Sequence, residues 1–311
     1  MFPLLFYESV SAYFTGRYHG TMSSISPKSL RLAWGRMSWL ESGPEAHPSS
    51  APTLVYLHGL GAGSFCWRVQ LEAWAGRARN LALDLPGYGD SDLLPGRRAS
   101  LSELGEAVAA WLGALRIERF RLIGSSWGGG VGLALAGAHP ERIERLLLAA
   151  PLHPDFHPHW RQRLLMRPPW TRLAAGILRH GPRRLRYRAL AEMWGDPRRM
   201  SAAIAREYAQ ALGRTGFGAS AAYTRGWRGD LERVATRLPR LRRPVMLLWG
   251  DRDRVIPPAS AAALAARLAA SGLTPARVLL PGLGHLPFQE DPASFHAAVE
   301  PFLFSELQPP D

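Results

Sequence analysis

The residues best suited to chemistry lie in Gly124-Ser-Ser-Trp-Gly128, a G-x-S-x-G pattern with Ser126 at its centre. A mostly apolar run, residues 120–123, ends abruptly at this pattern, and small residues with helical spacing follow it. A strand, a sharp turn and a helix in that order expose a serine hydroxyl at the bend, beside the free N–H groups of the helix. Ser126 is therefore the predicted nucleophile.

A serine hydroxyl is a weak nucleophile at neutral pH and needs a base, usually a histidine that a carboxylate orients. In a parallel sheet such groups lie in loops at the carboxyl ends of strands. Of the ten histidines, His285 fits best because it follows a predicted strand at 276–280. Asp251 and Asp253 follow the preceding predicted strand, and the order Ser, Asp, His is the expected one. Either aspartate can supply the carboxylate.

The elements that must position these residues are visible as apolar runs of strand length that alternate with helical patterns. This alternation predicts an α/β fold with a mostly parallel central sheet and helices on both faces. Residues 30–41 alternate apolar and polar side chains and predict an antiparallel hairpin. Further strands are predicted at 53–57, 80–85, 120–123, 143–150, 244–250 and 276–280, and helices at 67–74, 100–115 (with a Ser100–Glu103 capping box), 201–212, 258–270 and 292–304.

The alternation is interrupted between residues 151 and 243, where prolines, tryptophans and arginines crowd together. This segment predicts a helical cap inserted into a core that residues 30–150 and 244–311 form. Residues 1–29 show no clear period and are expected to be an N-terminal extension.

Charge is distributed unevenly along the chain, whose net charge is +13. Residues 151–243 hold 20 arginines against six acidic residues, so all the excess positive charge lies in the predicted cap. The cap is either a solvated helical surface or an electropositive lid for anionic substrates or an anionic membrane. No recognition motif accompanies the charge, which argues against nucleic acid as a partner.

Apolar runs, the single cysteine and a group of histidines bear on the cellular compartment and on metal binding. No apolar run is long enough to span a bilayer, and the N-terminus lacks a basic region and is broken by Pro3 and Glu8. The single cysteine, Cys66, excludes an intrachain disulfide, so we expect a cytoplasmic protein without a signal peptide. Residues 153–159 contain three histidines, but prolines between them favour a hinge at the cap over a metal site.

The chain resembles the α/β-hydrolase superfamily, in the group with a helical cap, from about residue 30 to 304. The resemblance implies an α/β-hydrolase fold and no metal or organic cofactor. The matching blocks, in order, are His58-Gly-Leu-Gly61, Asp84-Leu-Pro-Gly-Tyr-Gly-Asp-Ser91, Gly124-Ser-Ser-Trp-Gly128, Gly250-Asp-Arg-Asp253 and Gly284-His285 with Glu290-Asp-Pro292.

The resemblance also assigns roles to residues. The family's acid is the aspartate three residues after the glycine, which selects Asp253 and leaves Asp251 as a loop-structuring residue. The backbone N–H groups of Leu60 and Trp127 would form the oxyanion hole. His58 and the Asp84–Asp92 loop are expected to be structural.

The reaction class follows from the residue at the turn. Family members that act as dehalogenases or epoxide hydrolases carry aspartate there, so Ser126 indicates acyl chemistry through an acyl-enzyme. The expected activity is hydrolysis of a carboxylic ester of a small-molecule acyl substrate. Hydrolysis of a C–C bond in ring-cleavage products and acyl transfer are alternatives. A hypothesis of another class is a non-catalytic protein that binds through its basic cap.

Overall fold

The computed structural model describes residues 25–43, 51–96, 99–165, 170, 173, 176–177, 181–211, 223 and 227–306. Most of the predicted N-terminal extension, residues 1–24, lies outside this range. Residues 26–29, which the sequence assigned to that extension, form the beginning of the first strand. Their side chains are mostly exposed on an edge strand, so they give no apolar alternation from which a strand could be predicted.

Eight strands form one sheet, in the spatial order β1-β2-β4-β3-β5-β6-β7-β8. The first strand pairs antiparallel with the second, and the second pairs antiparallel with the fourth; all other neighbours are parallel. The predicted α/β fold with a mostly parallel sheet is confirmed. The strands are β1 Ser26–Leu32, β2 Gly35–Ser42, β3 Thr53–Leu57, β4 Arg79–Asp84, β5 Phe120–Ser125, β6 Ile143–Ala149, β7 Val245–Gly250 and β8 Ala276–Leu280.

Helices connect the parallel strands, and their bounds agree with the predicted ones to within a few residues. The capping box predicted at Ser100 and Glu103 is present, because each side chain accepts a hydrogen bond from the other residue's backbone N–H. The helices of the described residues are α1 Arg68–Ala73, α2 Leu101–Ala114, α3 Trp127–Ala138, α4 Trp160–Leu165, α5 Arg183–Ala191, α6 Ala202–Ala211, α7 Trp227–Arg237, α8 Ser260–Ala269, α9 Pro287–Glu290 and α10 Pro292–Phe304.

The central strands are buried on both faces, which explains why they are continuous apolar runs. Successive side chains of a strand point to opposite faces. Leu122 accordingly joins one hydrophobic cluster, with residues of α2, α3, α7 and α8, whereas Ile123 joins another, with residues of α1, α5, α6 and α10. The sheet is therefore covered by helices on both sides.

Between β6 and β7 the described residues include four helices with assigned bounds, α4 to α7, and no strand. This matches the helical character predicted for residues 151–243, while the domain boundaries stay a prediction. Among the described residues, no helix combines the length and the apolar composition that crossing a bilayer requires.

The chain leaves β6 through a segment that packs onto the core. His153 is fully buried, and its ring lies edge-on to Trp249, 6.3 Å between centroids. Arg267 of α8 donates two hydrogen bonds to the Asp155 carboxylate, at 2.7 and 2.5 Å. Within the described residues, no group of three or more His, Cys, Asp or Glu residues is placed to hold a metal ion. The segment is anchored by packing and by one bidentate ion pair.

Burial lowers the pKa of His153 to about 4, and neither ring nitrogen has a hydrogen-bond partner among the described residues. In the unfolded chain the His153 imidazole binds a proton with a pKa near 6.5. The free energy of unfolding therefore decreases as the pH falls from about 6.5 to about 4, because only the unfolded chain gains this proton. We expect His153→Leu to reduce the slope of unfolding free energy against pH in this window, by up to about 1.4 kcal/mol per pH unit. Urea unfolding at several pH values measures this slope.

His157→Leu, at an exposed position of the same segment, is the control. Wild type and His153→Leu profiles that run parallel between pH 4 and 6.5 would show that His153 does not carry this pH dependence.

Candidate active site

Ser126 lies in the sharp turn between β5 and α3, with backbone angles φ 53° and ψ −118°. A positive φ is strained for any residue with a side chain, and it persists only where surrounding structure imposes it. A Cβ at Gly124 would lie 2.8 Å from the Gly128 carbonyl oxygen, and one at Gly128 would lie 2.4 Å from that of Leu57. The two glycines of the pattern are thus required by backbone packing on either side of the serine.

Backbone hydrogen bonds hold this turn at the carboxyl end of the sheet. The Ser126 N–H donates to the Ala149 carbonyl at 3.0 Å, and the Ser126 carbonyl accepts from the Leu152 N–H at 2.8 Å. The side chain of Ser126 is half-buried, whereas that of Ser125 is fully buried. Of the two adjacent serines, Ser126 is the one whose position allows contact with a substrate.

His285 and Asp253 form a buried pair in the loops after β8 and β7. The Nδ1–H of His285 donates to Asp253 Oδ2 at 2.8 Å. Asp253 Oδ1 accepts two more hydrogen bonds, from the N–H groups of Val255 (2.8 Å) and Ile256 (2.9 Å). A carboxylate fixed in this way holds the imidazole ring and leaves Nε2 with the lone pair that a general base needs.

Asp251, the other candidate acid, has a different role in the structure. Its Oδ1 accepts a hydrogen bond from the Gly282 N–H at 2.7 Å, and its own N–H donates to the Leu280 carbonyl at 3.0 Å. These bonds join the loop after β7 to the loop that carries His285. The structure therefore brings Asp253 to His285 and uses Asp251 to shape the loop.

The loop after β3 lies directly against the Ser126 turn. A Cβ at Gly59 would lie 3.2 Å from Ser126 Cβ and 3.7 Å from Ser126 Oγ. Among the turn and loop hydrogen bonds of the described residues, the N–H groups of Leu60 and Trp127 have no backbone partner. The role of these two N–H groups as oxyanion donors stays a prediction.

His58 fixes the same loop. Its Nδ1–H donates to the Gly59 carbonyl at 2.8 Å, and its Nε2 accepts from the Leu85 N–H at 3.0 Å. Burial lowers the pKa of the ring to about 4, so it stays neutral around pH 7. Both ring nitrogens are used in backbone bonds, in agreement with the structural role expected from the sequence.

The Asp84–Asp92 loop is also structural. The Asp84 carboxylate accepts from the Ser64 N–H at 2.7 Å, and Asp92 Oδ2 accepts from the Arg36 N–H at 2.8 Å. The Ser91 hydroxyl donates to the Asp84 carbonyl at 2.7 Å. These bonds tie the loop to the strand β2 and to the segment after the Gly59 loop.

The sequence did not assign a role to Glu290, which connects the His285 loop to the segment between β6 and β7. Its Oε2 accepts from the N–H groups of Gly195 (2.9 Å) and Gly284 (2.7 Å), and its Oε1 from Asp196 N–H (2.8 Å). The His285 N–H in turn donates to the Met193 carbonyl at 2.7 Å. Glu290 stands in one of the blocks that carry the resemblance, but only the fold shows what its carboxylate binds.

A second contact joins the segment between β6 and β7 to the loop after β4. The Tyr223 hydroxyl donates to the Pro86 carbonyl at 2.6 Å, and its ring stacks on Trp127 with centroids 6.5 Å apart. Tyr88 lies between this pair and the His58 ring, 5.0 Å from the latter. An aromatic layer therefore packs behind the residue that follows the serine.

Known proteins are similar to this chain in sequence and in fold. A family model described as "alpha/beta hydrolase fold" matches residues 52–292. A pimeloyl-[acyl-carrier protein] methyl ester esterase of Aeromonas salmonicida is similar, with 29% identity over 261 residues, 81% of this chain and 95% of that protein. A 2-hydroxymuconate semialdehyde hydrolase of Pseudomonas sp. (strain CF600) is 37% identical over 98 residues, 30% of this chain and 35% of that protein.

A solved structure, described as that of a membrane phospholipase A and bacterial virulence factor, is similar over a longer stretch. The similarity covers 95% of this chain and 89% of the chain in that structure, with a TM-score of 0.73 and 25% identity. The similarity thus includes the segment between β6 and β7 as well as the sheet.

We expect Glu290→Gln to lower kcat about tenfold or more and stability by about 2 kcal/mol. An amide in place of the carboxylate leaves one backbone N–H facing an NH₂ group, and a displaced His285 loop loses the catalytic geometry. Steady-state kinetics and urea unfolding measure the two effects.

Glu300→Gln is the matched control, because Glu300 also accepts two side-chain hydrogen bonds, from Trp74 and Arg77, but has no contact with the His285 loop. A Glu290→Gln protein that is less stable yet keeps its kcat would limit Glu290 to a structural role.

Proposed function

Since this chain belongs to the α/β-hydrolase family, we propose that it is a serine hydrolase that cleaves a carboxylic ester through an acyl-enzyme on Ser126. The observation that carries the proposal is the buried hydrogen bond between His285 Nδ1 and Asp253 Oδ2, in loops at the edge of the sheet where the Ser126 turn also lies. It supplies an oriented base for a serine held in a strained, accessible turn.

In the proposed mechanism, His285 Nε2 takes the proton of the Ser126 hydroxyl as its oxygen attacks the ester carbonyl carbon. The N–H groups of Leu60 and Trp127 donate to the oxyanion of the tetrahedral intermediate, and Asp253 stabilises the imidazolium. His285 then passes the proton to the leaving alcohol oxygen as the C–O bond breaks. Water attacks the acyl-enzyme by the same route in reverse, which releases the acid and restores the serine.

The ester class is supported by two similar proteins. The Aeromonas relative is named as a methyl ester esterase, and the solved structure as a phospholipase A. Both names describe hydrolysis of an ester whose acyl part is an aliphatic chain, so we propose an aliphatic carboxylic ester as substrate. No step of this mechanism requires a metal or an organic cofactor.

A second candidate is hydrolysis of a C–C bond next to a ketone. The similarity to a 2-hydroxymuconate semialdehyde hydrolase favours it, and the same serine, histidine and aspartate serve such a reaction. Rates on p-nitrophenyl esters of increasing chain length, compared with rates on vinylogous diketones, separate the two reactions.

We place the activity in the cytoplasm. The only cysteine, Cys66, is buried, and burial raises the pKa of its thiol, so it stays reduced and unreactive. A fold held together without disulfides suits a reducing compartment.

We expect Ser126→Ala to lower kcat on esters by at least about 10⁴-fold, because the nucleophile is removed while the binding site remains. A fluorophosphonate probe should label wild type at Ser126 and leave Ser126→Ala unlabelled, as read by mass spectrometry of the labelled peptide.

Ser125→Ala is the matched control. The Ser125 hydroxyl is buried and has no hydrogen-bond partner among the described residues, so its loss should leave labelling and kcat near wild type. A folded wild-type protein that the probe does not label would contradict the acyl-enzyme and favour the non-catalytic hypothesis.

Asp253→Asn should lower kcat about 10⁴-fold with little change in KM, because an amide cannot hold the His285 tautomer or stabilise the imidazolium. Asp251→Asn keeps an oxygen for the Gly282 N–H and should change kcat by less than about threefold. The pair of variants is compared by steady-state kinetics on one ester. Equal losses in the two variants would show that Asp253 is not the acid of the site.

A further inference from the structure

Exposed apolar side chains are concentrated in one segment of the cap. Of the eight large hydrophobic side chains exposed among the described residues, five lie between residues 160 and 185. These five are between 41% and 55% exposed, which is high for tryptophan and leucine. They are Trp160, Leu164, Trp170, Leu173 and Leu185.

The same segment carries the strongest positive charge of the chain. Residues 156–191 contain nine arginines and no aspartate or glutamate. The acidic residues on either side are already paired, Asp155 with Arg267 and Glu192 with Arg254. Among the ion pairs of the described residues, none involves the arginines at positions 163, 184, 186 and 188.

Helix α5 shows how the segment is oriented. Leu190 is buried in the core, and the Tyr187 hydroxyl donates to the Pro197 carbonyl at 3.0 Å and to that of Met200 at 3.1 Å. Arg184, Leu185 and Arg188, on the other side of the helix, are exposed. The helix is thus fixed by one face, and the other presents Leu185 beside the two arginines to solvent.

We propose that the exposed arginine, tryptophan and leucine side chains described in this segment form a docking surface for the headgroup layer of an anionic lipid bilayer. They are Trp160, Arg163, Leu164, Trp170, Leu173, Arg184, Leu185 and Arg188. Arginines at such a surface are attracted by lipid phosphates, while tryptophan and leucine side chains enter the boundary between headgroups and acyl chains. The phosphates of a nucleic acid would attract the arginines, but a nucleic acid has no aliphatic region in which the leucine side chains could be buried. A second copy of the chain would bring the same positive charge against this face and would be repelled.

The surface is connected to the catalytic loop. The chain continues from α5 directly to Met193 and Gly195, which bind the N–H of His285 and the carboxylate of Glu290. Docking would therefore hold the site close to esters that reside in the bilayer, so lipid-like amphiphiles are the substrate class. The assignment of lipid-like substrates rests on the proposed ester hydrolysis, whereas the proposed docking does not.

Docking is tested with the full-length Ser126→Ala protein, so that no lipid is hydrolysed during the measurement. Co-sedimentation compares vesicles of phosphatidylglycerol and phosphatidylcholine with vesicles of phosphatidylcholine alone. We expect partition onto the anionic vesicles only, weakened by added salt. Arg184→Gln with Arg188→Gln should lower the partition coefficient about 30-fold, and Trp160→Ser with Trp170→Ser should lower it as well.

Arg31→Gln with Arg119→Gln is the matched control, because it removes the same charge from two exposed positions of the core. An equal loss in this control, or equal binding to both kinds of vesicle, would overturn the proposal. It would also be overturned by binding to duplex DNA but not to vesicles, or by a dimer in solution that the tryptophan variant dissociates.

The substrate class is tested separately with the active protein. Relative to wild type, the Arg184 and Arg188 variant should lose rate on a p-nitrophenyl ester embedded in anionic vesicles and keep its rate on a water-soluble one. Loss on both esters would contradict the extension, and activity on neither ester in wild type, with docking intact, would instead contradict the proposed hydrolysis.

Discussion

The strained turn at Ser126 is the constraint on which the rest of the site depends. A serine at φ 53° is strained, and the backbone passes so close to Gly124 and Gly128 that neither position has room for a Cβ. The turn is bonded to the end of β6, so the sheet register sets its height relative to the neighbouring loops. Because β3, β5, β7 and β8 run parallel, the loops that follow them meet at one edge. The functional loops are therefore assembled by the sheet.

Buried carboxylates fix those loops in addition to their apolar packing. Asp84, Asp253 and Glu290 each accept at least two backbone N–H bonds from loops that have no regular structure of their own. A buried carboxylate is costly unless several donors surround it, and a loop with unpaired N–H groups is costly for the same reason. When such a carboxylate accepts hydrogen bonds from the loop N–H groups, the free-energy cost of burying either group is offset. Asp253 adds the imidazole of His285 to its donors, which makes it part of the site as well as of the loop.

The segment between β6 and β7 is bound to the core at some residues and exposed to solvent at others. The Tyr223 hydroxyl and the N–H groups of Gly195 and Asp196 bind the core, all close to residues of the candidate site. Along α5, Arg184, Leu185 and Arg188 are exposed, and the two arginines have no acidic partner among the ion pairs of the described residues. Part of the positive charge of this segment thus lies on the face of α5 opposite to the buried Leu190.

The sequence by itself determined the strands, most helix bounds, the Ser126 turn and the order of the candidate acid and base. These are encoded locally, in apolar runs and in the glycine spacing around the serine. Only the tertiary structure decided which groups meet over long separations. Glu290 binds Gly195 across 95 positions, and His153, within a histidine cluster that permitted a metal reading, is instead buried against Trp249. Residues 26–29 became a strand because β2 pairs with them, not because their own side chains alternate. Such contacts depend on the relative placement of whole helices, strands and loops, and no local sequence pattern predicts that placement.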